Sequence, residues 1–229
     1  MPTYQNHPAR HAGERQSGPV IPRFPVYLFD IDGTLLDSAP DICGAQSEVL
    51  AAAGCPPVTF EFLRSFIGLE LRALFRSMIP NITDEKLAKL SEQYSASYRA
   101  RRHAGTGLYP GVREALAVLG GRKSTATTKS TAGTKMVLEH FGLLHYFDHV
   151  QGSDGLRCKP APDVVKAAMA GLGARPEDCV LVGDSLADME AGRSAGVKIC
   201  AVTYGYGDPV ELAKWQPDYR VSDLRELVG

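Results

Sequence analysis

The sequence predicts an α/β protein: a Rossmann-like parallel sheet core, interrupted once by an all-helical insert. Three observations predict it. Two short apolar runs, Val26–Phe29 and Cys179–Gly183, end on aspartates, as buried strands entering a polar site do. Residues 41–103 carry helical periodicity and helix caps only. After Pro110, strand-like and helix-like segments alternate, which is the pattern of a parallel sheet.

The bulk properties agree with a globular metabolic protein. A chain of 229 residues, 44% apolar, holds one large domain or a core with a smaller insert. Its net charge of −1 and lack of a basic stripe argue against nucleic acid or a membrane surface as partner. No stretch approaches the roughly 20 apolar residues of a membrane span. The five cysteines (Cys43, Cys55, Cys158, Cys179 and Cys200) are scattered and form no C-x-x-C pair. That disfavours a disulfide framework or structural zinc and favours a reducing, cytoplasmic setting. Residues 1–22 are rich in His, Pro, Arg, Gly and Gln and lack the apolar run of a secretory signal, so they read as a flexible tail. The expected division is a tail at 1–22, a core at 23–40 and 104–229, and a helical unit at 41–103. Oligomeric state has no signature in the sequence.

Each element has a local reason. From Pro40, Ile42, Val49 and Leu50 form a helix that Gly54 can close. Thr59 caps a second helix carrying Phe60, Leu63 and Ile67. Beyond Gly68 a third holds Leu71, Leu74, Phe75 and Met78, until Pro80 stops it. Thr83, with Asp84 and Glu85 in the first turn, starts a fourth through Leu87, Leu90, Tyr94 and Tyr98. Residues 104–107 read as a linker. In the core, residues 112–119, 134–140, 163–172 and 187–195 read as helices, with a last helical region around Leu212 and Trp215. Residues 124–127, 149–152, 197–202 and 219–221 read as strands.

The chemistry concentrates at the strand ends. Asp30-Ile31-Asp32-Gly33-Thr34 places two carboxylates where a buried strand stops. Gly183-Asp184-Ser185 repeats the arrangement, with Asp188 one helical turn later. A helix cap explains one such aspartate more readily than this set. Two carboxylates brought within ~4 Å would repel by roughly 4 kcal/mol at an effective dielectric near 20. A hard divalent cation removes that penalty. Oxygen-only ligands favour Mg²⁺, whereas zinc would want His or Cys, which neither cluster offers. The six histidines (His7, His11, His103, His140, His145 and His149) form no ligand pattern.

These residues resemble the motifs of the haloacid-dehalogenase-like superfamily, most closely its phosphoglycolate phosphatase branch. The run from Asp30 to Asp41 (DIDGTLLDSAPD) matches the first motif and its extension. Thr127-Thr128-Lys129 stands at the second, Lys159-Pro160-Ala161-Pro162 at the third, and Gly183-Asp184-Ser185 with Asp188 at the fourth. The resemblance implies that Asp30 is the nucleophile and that Asp32 is the general acid and base, with its carbonyl on the metal. It implies that Lys159 neutralises nucleophile and phosphate, and that Asp184 and Asp188 complete the Mg²⁺ site. Thr127, with amides near Gly33 and Thr128, would hold the phosphate. The segment Lys123–Thr131 is more polar than the family's second strand, and the threonine register is either Thr127 or Thr128. By the same resemblance residues 41–103 form a cap over the site. Arg64 and Arg72 flank its Gly68-Leu69 loop, either as solvated helix residues or as contacts for an anionic substrate tail.

The reading is a Mg²⁺-dependent phosphatase for a small phosphate ester. A phosphomutase would keep the same motifs. A dehalogenase would lack the acid/base at Asp32, and a phosphonatase would want a cap lysine, for which Lys86 and Lys89 lack a supporting motif. A non-catalytic binding protein on this fold would be expected to lose an aspartate at 30, 32 or 184, and all three are present.

Overall fold

The structure, a computed structural model, describes residues 21–228. The expected tail at 1–22 therefore lies outside the described residues, except for Ile21 and Pro22. Strand β1 (Val26–Phe29) is buried along its whole length. It pairs in parallel with β4 (Arg122–Thr125) on one side and β5 (Cys179–Gly183) on the other. Beyond β5 lie β6 (Lys198–Val202) and β7 (Tyr219–Val221), giving the order β4-β1-β5-β6-β7. Alternate residues of β1 feed two separate cores, as a period of two requires. Tyr27 and Phe29 pack with α5 (Val112–Val118) and α6 (Thr131–His140). Val26 and Leu28 pack with α7 (Asp163–Gly171) and α8 (Leu186–Ala195). With helices on both faces, β1 and β5 read as continuous apolar runs rather than alternating ones. A last helix, α9 (Pro209–Lys214), sets Leu212 against Met189, Ile199 and Ala201.

The insert leaves and returns through one narrow stem. Strand β2 (Leu36–Asp37) pairs antiparallel with β3 (Gly107–Leu108). Between them run α1 (Ala39–Ala52), α2 (Phe60–Arg64), α3 (Leu71–Met78) and α4 (Asp84–Ala100). Thr59 and Thr83 cap α2 and α4, accepting the amides of Phe62 and Lys86. Leu50, Leu63, Leu74, Phe75, Leu87 and Leu90 form a core of their own, distinct from those on the sheet. Asp41 ties the stem: its Oδ2 accepts from the Gly105 amide at 3.0 Å and the Thr106 hydroxyl at 2.6 Å.

Two expected strands differ. The strand expected at 124–127 lies at Arg122–Thr125, so Thr127 falls beyond it. The strand expected at 149–152 is reduced to one bridge between Ser124 and His149. The cause is a side chain. The Thr125 hydroxyl donates to the Gln151 carbonyl at 2.9 Å and accepts from the Gln151 amide at 2.8 Å, replacing the backbone ladder. Helix α6 also begins three residues before the expected Thr134, because Ser130 caps it through the Gly133 amide, and α2 ends at Arg64, short of Ile67.

A separate insert core predicts separable stability. Phe75→Ala should cost about 3–5 kcal/mol. Hydrogen exchange should speed up in α1–α4 while β1, β5 and β6 keep their protection. Equal loss in the sheet would contradict two independent cores.

Candidate active site

The site lies beyond the carboxyl ends of β1, β4 and β5, where parallel α/β sheets place ligands. The ladder carries Asp30 one residue past β1, its amide donating to the Val182 carbonyl at 2.9 Å. The chain then turns sharply, with the amides of Thr34, Leu35 and Leu36 all directed at the Ile31 carbonyl. Gly33 makes the turn with φ +94°, and a Cβ there would stand 2.2 Å from Asp184 Oδ2. Glycine at this position therefore lets Asp184 approach the β1 loop. The Gly33 amide is already committed, donating to the Leu36 carbonyl at 2.8 Å. The neighbouring amides of Ile31 and Asp32 have no acceptor among the described residues.

Asp184 follows β5 directly and is buried. Its Oδ1 accepts from the Thr34 hydroxyl at 3.0 Å and its Oδ2 from the Tyr206 amide at 2.8 Å. Ser185 caps α8 and, in a reciprocal box, its amide donates to Asp188 Oδ2 at 3.0 Å. Asp188 is thereby fixed, and its Oδ1 receives Lys159 Nζ at 2.5 Å. The same ammonium reaches Asp30 Oδ1 at 2.7 Å. Carboxylate oxygens of Asp30, Asp184 and Asp188 all lie within 4.8 Å of one another.

The electrostatics of this cluster are unbalanced. One ammonium faces three buried carboxylates. Burial pushes the Asp30 carboxyl up to about 6, although Lys159 pulls it down. Burial, then repulsion from Asp188 and Asp30, pushes Asp184 up to about 8. Burial works against the Lys159 ammonium, but Asp188 and Asp30 outweigh it and hold this lysine above its ordinary range. A set of oxygen donors with surplus negative charge fits a hard divalent cation.

Asp32 is only two residues from Asp30, yet its side chain belongs elsewhere. Its Oδ1 accepts from the Ser38 hydroxyl at 2.5 Å and its Oδ2 faces Lys129 Nζ at 3.1 Å. Asp32, Thr128 and Lys129 line a cleft of about 730 Å³ between core and insert. Tyr98, Arg99 and Arg102 line its insert side, and Asp32 is the one carboxylate among the described lining residues. Thr127 is buried just beyond β4, beside the end of β1, with Lys129 N donating to its hydroxyl at 3.3 Å. Thr128 instead faces the cleft, and its carbonyl accepts from Ser153 at 2.7 Å. Arg64 donates to the Gly205 carbonyl at 3.4 Å, and Arg72 faces Glu70 on the surface at 3.9 Å.

Sequence reasoning missed four residues that shape the site. Lys129 and Ser38 hold Asp32, while Thr34 and Tyr206 hold Asp184. Lys129 is the third residue of the second motif, but it stands in a run of lysines and hydroxyls that gives it no distinguishing signal. Ser38 lies in the extended first motif, which was the available signal. Tyr206 acts on Asp184 through its backbone, for which no side-chain signal exists. Its hydroxyl also accepts from the Ser38 and Ala39 amides at 2.7 and 2.9 Å, tying this loop to the stem of the insert.

The chain is similar to known proteins over most of its length. A family model described as haloacid dehalogenase-like hydrolase matches residues 27–202. The chain is 35% identical over 222 residues to phosphoglycolate phosphatase 1 of Pseudomonas aeruginosa, covering 91% of this chain and 79% of that one. It is 35% identical over 208 residues to the phosphoglycolate phosphatase of Nitrosospira multiformis, covering 87% and 92%. A solved structure described as a predicted phosphatase from Clostridium acetobutylicum superposes with a TM-score of 0.82 at 30% identity, covering 90% and 97%. On this match the chain belongs to the haloacid dehalogenase-like hydrolases, in the branch that resembles phosphoglycolate phosphatases.

Proposed function

We propose that the chain is a Mg²⁺-dependent phosphatase that hydrolyses a small phosphate monoester, phosphoglycolate or a similar metabolite, through an aspartyl-phosphate on Asp30. One observation carries the reading. Asp30 sits in the buried carboxylate cluster under Lys159, while Asp32 is turned away to the cleft where a leaving group would lie. Nucleophile and acid/base are thus separated in space by a two-residue step. The names of the relatives support a phosphatase over a mutase.

In this mechanism Asp30 attacks phosphorus and the ester oxygen departs with a proton from Asp32. Asp32 then takes a proton from water as that water attacks the phosphorus of the acyl phosphate, releasing phosphate and freeing Asp30. Lys159 offsets charge between Asp30 and the incoming phosphate. The unpaired amides of Ile31 and Asp32, with the Thr127 hydroxyl, are donors for phosphate oxygens, and the Gly33 amide is not among them because Leu36 occupies it. Asp30, Asp184 and the Asp32 carbonyl would hold Mg²⁺, with Asp188 alongside, and the ion would supply positive charge for the transferring phosphoryl group. The helical insert acts as a lid over the cleft, and its Arg99 and Arg102 suit a leaving group that carries a second anion. A setting in the cytoplasm accords with the free cysteines.

Phosphate release from a panel of small esters tests this reading. Wild type should need Mg²⁺ and be silenced by EDTA, and Asp30→Asn should lose about 10⁴-fold or more in kcat. Activity that survives chelation, or is unchanged in Asp30→Asn, would contradict it. Phosphoglycolate should turn over faster than unrelated sugar phosphates.

The metal site also predicts a pH dependence with a definite sign. Without metal, Asp184 in the folded protein titrates at about 8, far above its unfolded value of 3.8. The folded state then holds the extra proton, so this contribution to stability is full below about 3.8 and is lost as pH rises through about 8. In EDTA the wild-type Tm should fall between pH 6 and pH 9, and Asp184→Asn should remove most of that fall. Mg²⁺ should raise the Tm most at the alkaline end. A wild-type Tm no more pH-sensitive than that of Asp184→Asn would contradict the assignment.

A further inference from the structure

Lys129 lies in the core, in the loop between β4 and α6, yet it is enclosed from the insert side. Its Nζ stands 3.1 Å from Asp32 Oδ2, 4.6 Å from the centroid of the Tyr98 ring and 3.4 Å from the Tyr98 hydroxyl. Tyr98 is on α4, and Tyr94, one turn earlier, stacks parallel to it at 5.9 Å. An enclosed ammonium is costly unless paired, and here Asp32 and the tyrosines supply the compensation. Burial disfavours its charge, but Asp32 first, then Tyr98 and Tyr94, keep it charged. Ser38 holds the other oxygen of Asp32. With one donor on each oxygen, the carboxylate plane is fixed at the mouth of the cleft. Without Lys129 the Asp32 carboxylate would keep a single tether and rotate.

We infer that Lys129 is the positioning residue for Asp32, and that Tyr98 of the insert completes its seat, so that proton delivery to the leaving group depends on contact between insert and core. This inference rests on the phosphatase reading above. It assigns Lys129 no contact with the reacting phosphate. Its effect passes through Asp32 and therefore scales with how much the leaving group needs a proton. An alkyl alkoxide needs one. The nitrophenolate released from p-nitrophenyl phosphate does not.

The experiment compares kcat/KM, which reports steps through formation of the acyl phosphate, for a small alkyl phosphate and for p-nitrophenyl phosphate. Lys129→Met should lower the alkyl-to-aryl ratio by about 10²-fold, the range of one acid–base contribution. Lys129→Arg should recover part of that loss, and Tyr98→Leu should shift the ratio in the same direction by a smaller factor. In an Asp32→Asn background, Lys129→Met should leave the ratio where Asp32→Asn alone puts it. Equal loss on both esters would mean that Lys129 serves the phosphate or the fold, and would overturn the inference. An unchanged ratio in Lys129→Met or in Tyr98→Leu would overturn it as well. Wild type inert to both esters, or Asp30→Asn still active, would instead sink the phosphatase reading and the inference with it.

Discussion

The structure depends on one electrostatic constraint: three aspartates buried against each other with a single lysine among them. Carboxylate oxygens of Asp30, Asp184 and Asp188 lie within 4.8 Å of one another, and burial pushes the Asp30 and Asp184 carboxyls well above the ordinary carboxylate range. The surroundings are arranged around that unfavourable grouping. Parallel pairing of β1 with β5 fixes Asp30 and Asp184 at adjacent strand ends. Gly33 leaves the space that Asp184 fills. The cap of α8 aims Asp188 at Lys159, and Lys159 bridges it to Asp30. A core alone would not select this arrangement, since apolar residues of similar volume would pack there at less cost. On the proposed function, the cluster is a place prepared for a charge that arrives with metal and substrate.

The second organising feature is the change of direction between Asp30 and Asp32. The first stays at the carboxyl end of β1 with Lys159. The second turns to the stem of the insert, where Ser38 directly precedes α1, and to Lys129 under Tyr98. Tyr206 links the two regions, since its amide holds Asp184 while its hydroxyl receives the first amides of the stem. The carboxylate cluster and the insert are therefore connected through one loop after β6. On the proposed mechanism, lid and proton donor share residues, so a lid that is out of place leaves the acid out of place too.

Much of this was legible from the chain. Val26–Phe29 and Cys179–Gly183 are apolar runs ending on acids, and burial on both faces leaves such strands no other reading. Thr59 and Thr83 announced their helices because a side-chain cap is a local interaction. Lys159 became visible only through the order of the motifs, because nothing local distinguishes it from a loop lysine. In the segment from Lys123 to Thr131 the sequence pattern places the strand two residues late, at 124–127 rather than Arg122–Thr125. Its strand is buried at the sheet edge yet polar, because the Thr125 hydroxyl bonds to Gln151 across the chain. That partner is 26 residues away and invisible to periodicity. Lys129 carries no local signal for the same reason, since its partners Asp32 and Tyr98 come from two distant segments. The motif points to amides near Gly33 as phosphate donors, while the steric role of Gly33, whose missing side chain leaves room for Asp184, has no signal in the sequence.

The proposed identity of the nucleophile is the centre of the account. It is tested by quenching the enzyme during turnover with Mg²⁺ and substrate, reducing with borohydride, and mapping peptides by mass spectrometry. Reduction converts an acyl phosphate of aspartate to homoserine. The account predicts homoserine at position 30, present only when substrate and Mg²⁺ are both added. Homoserine at position 32, 184 or 188, or at none of them during active turnover, would contradict it.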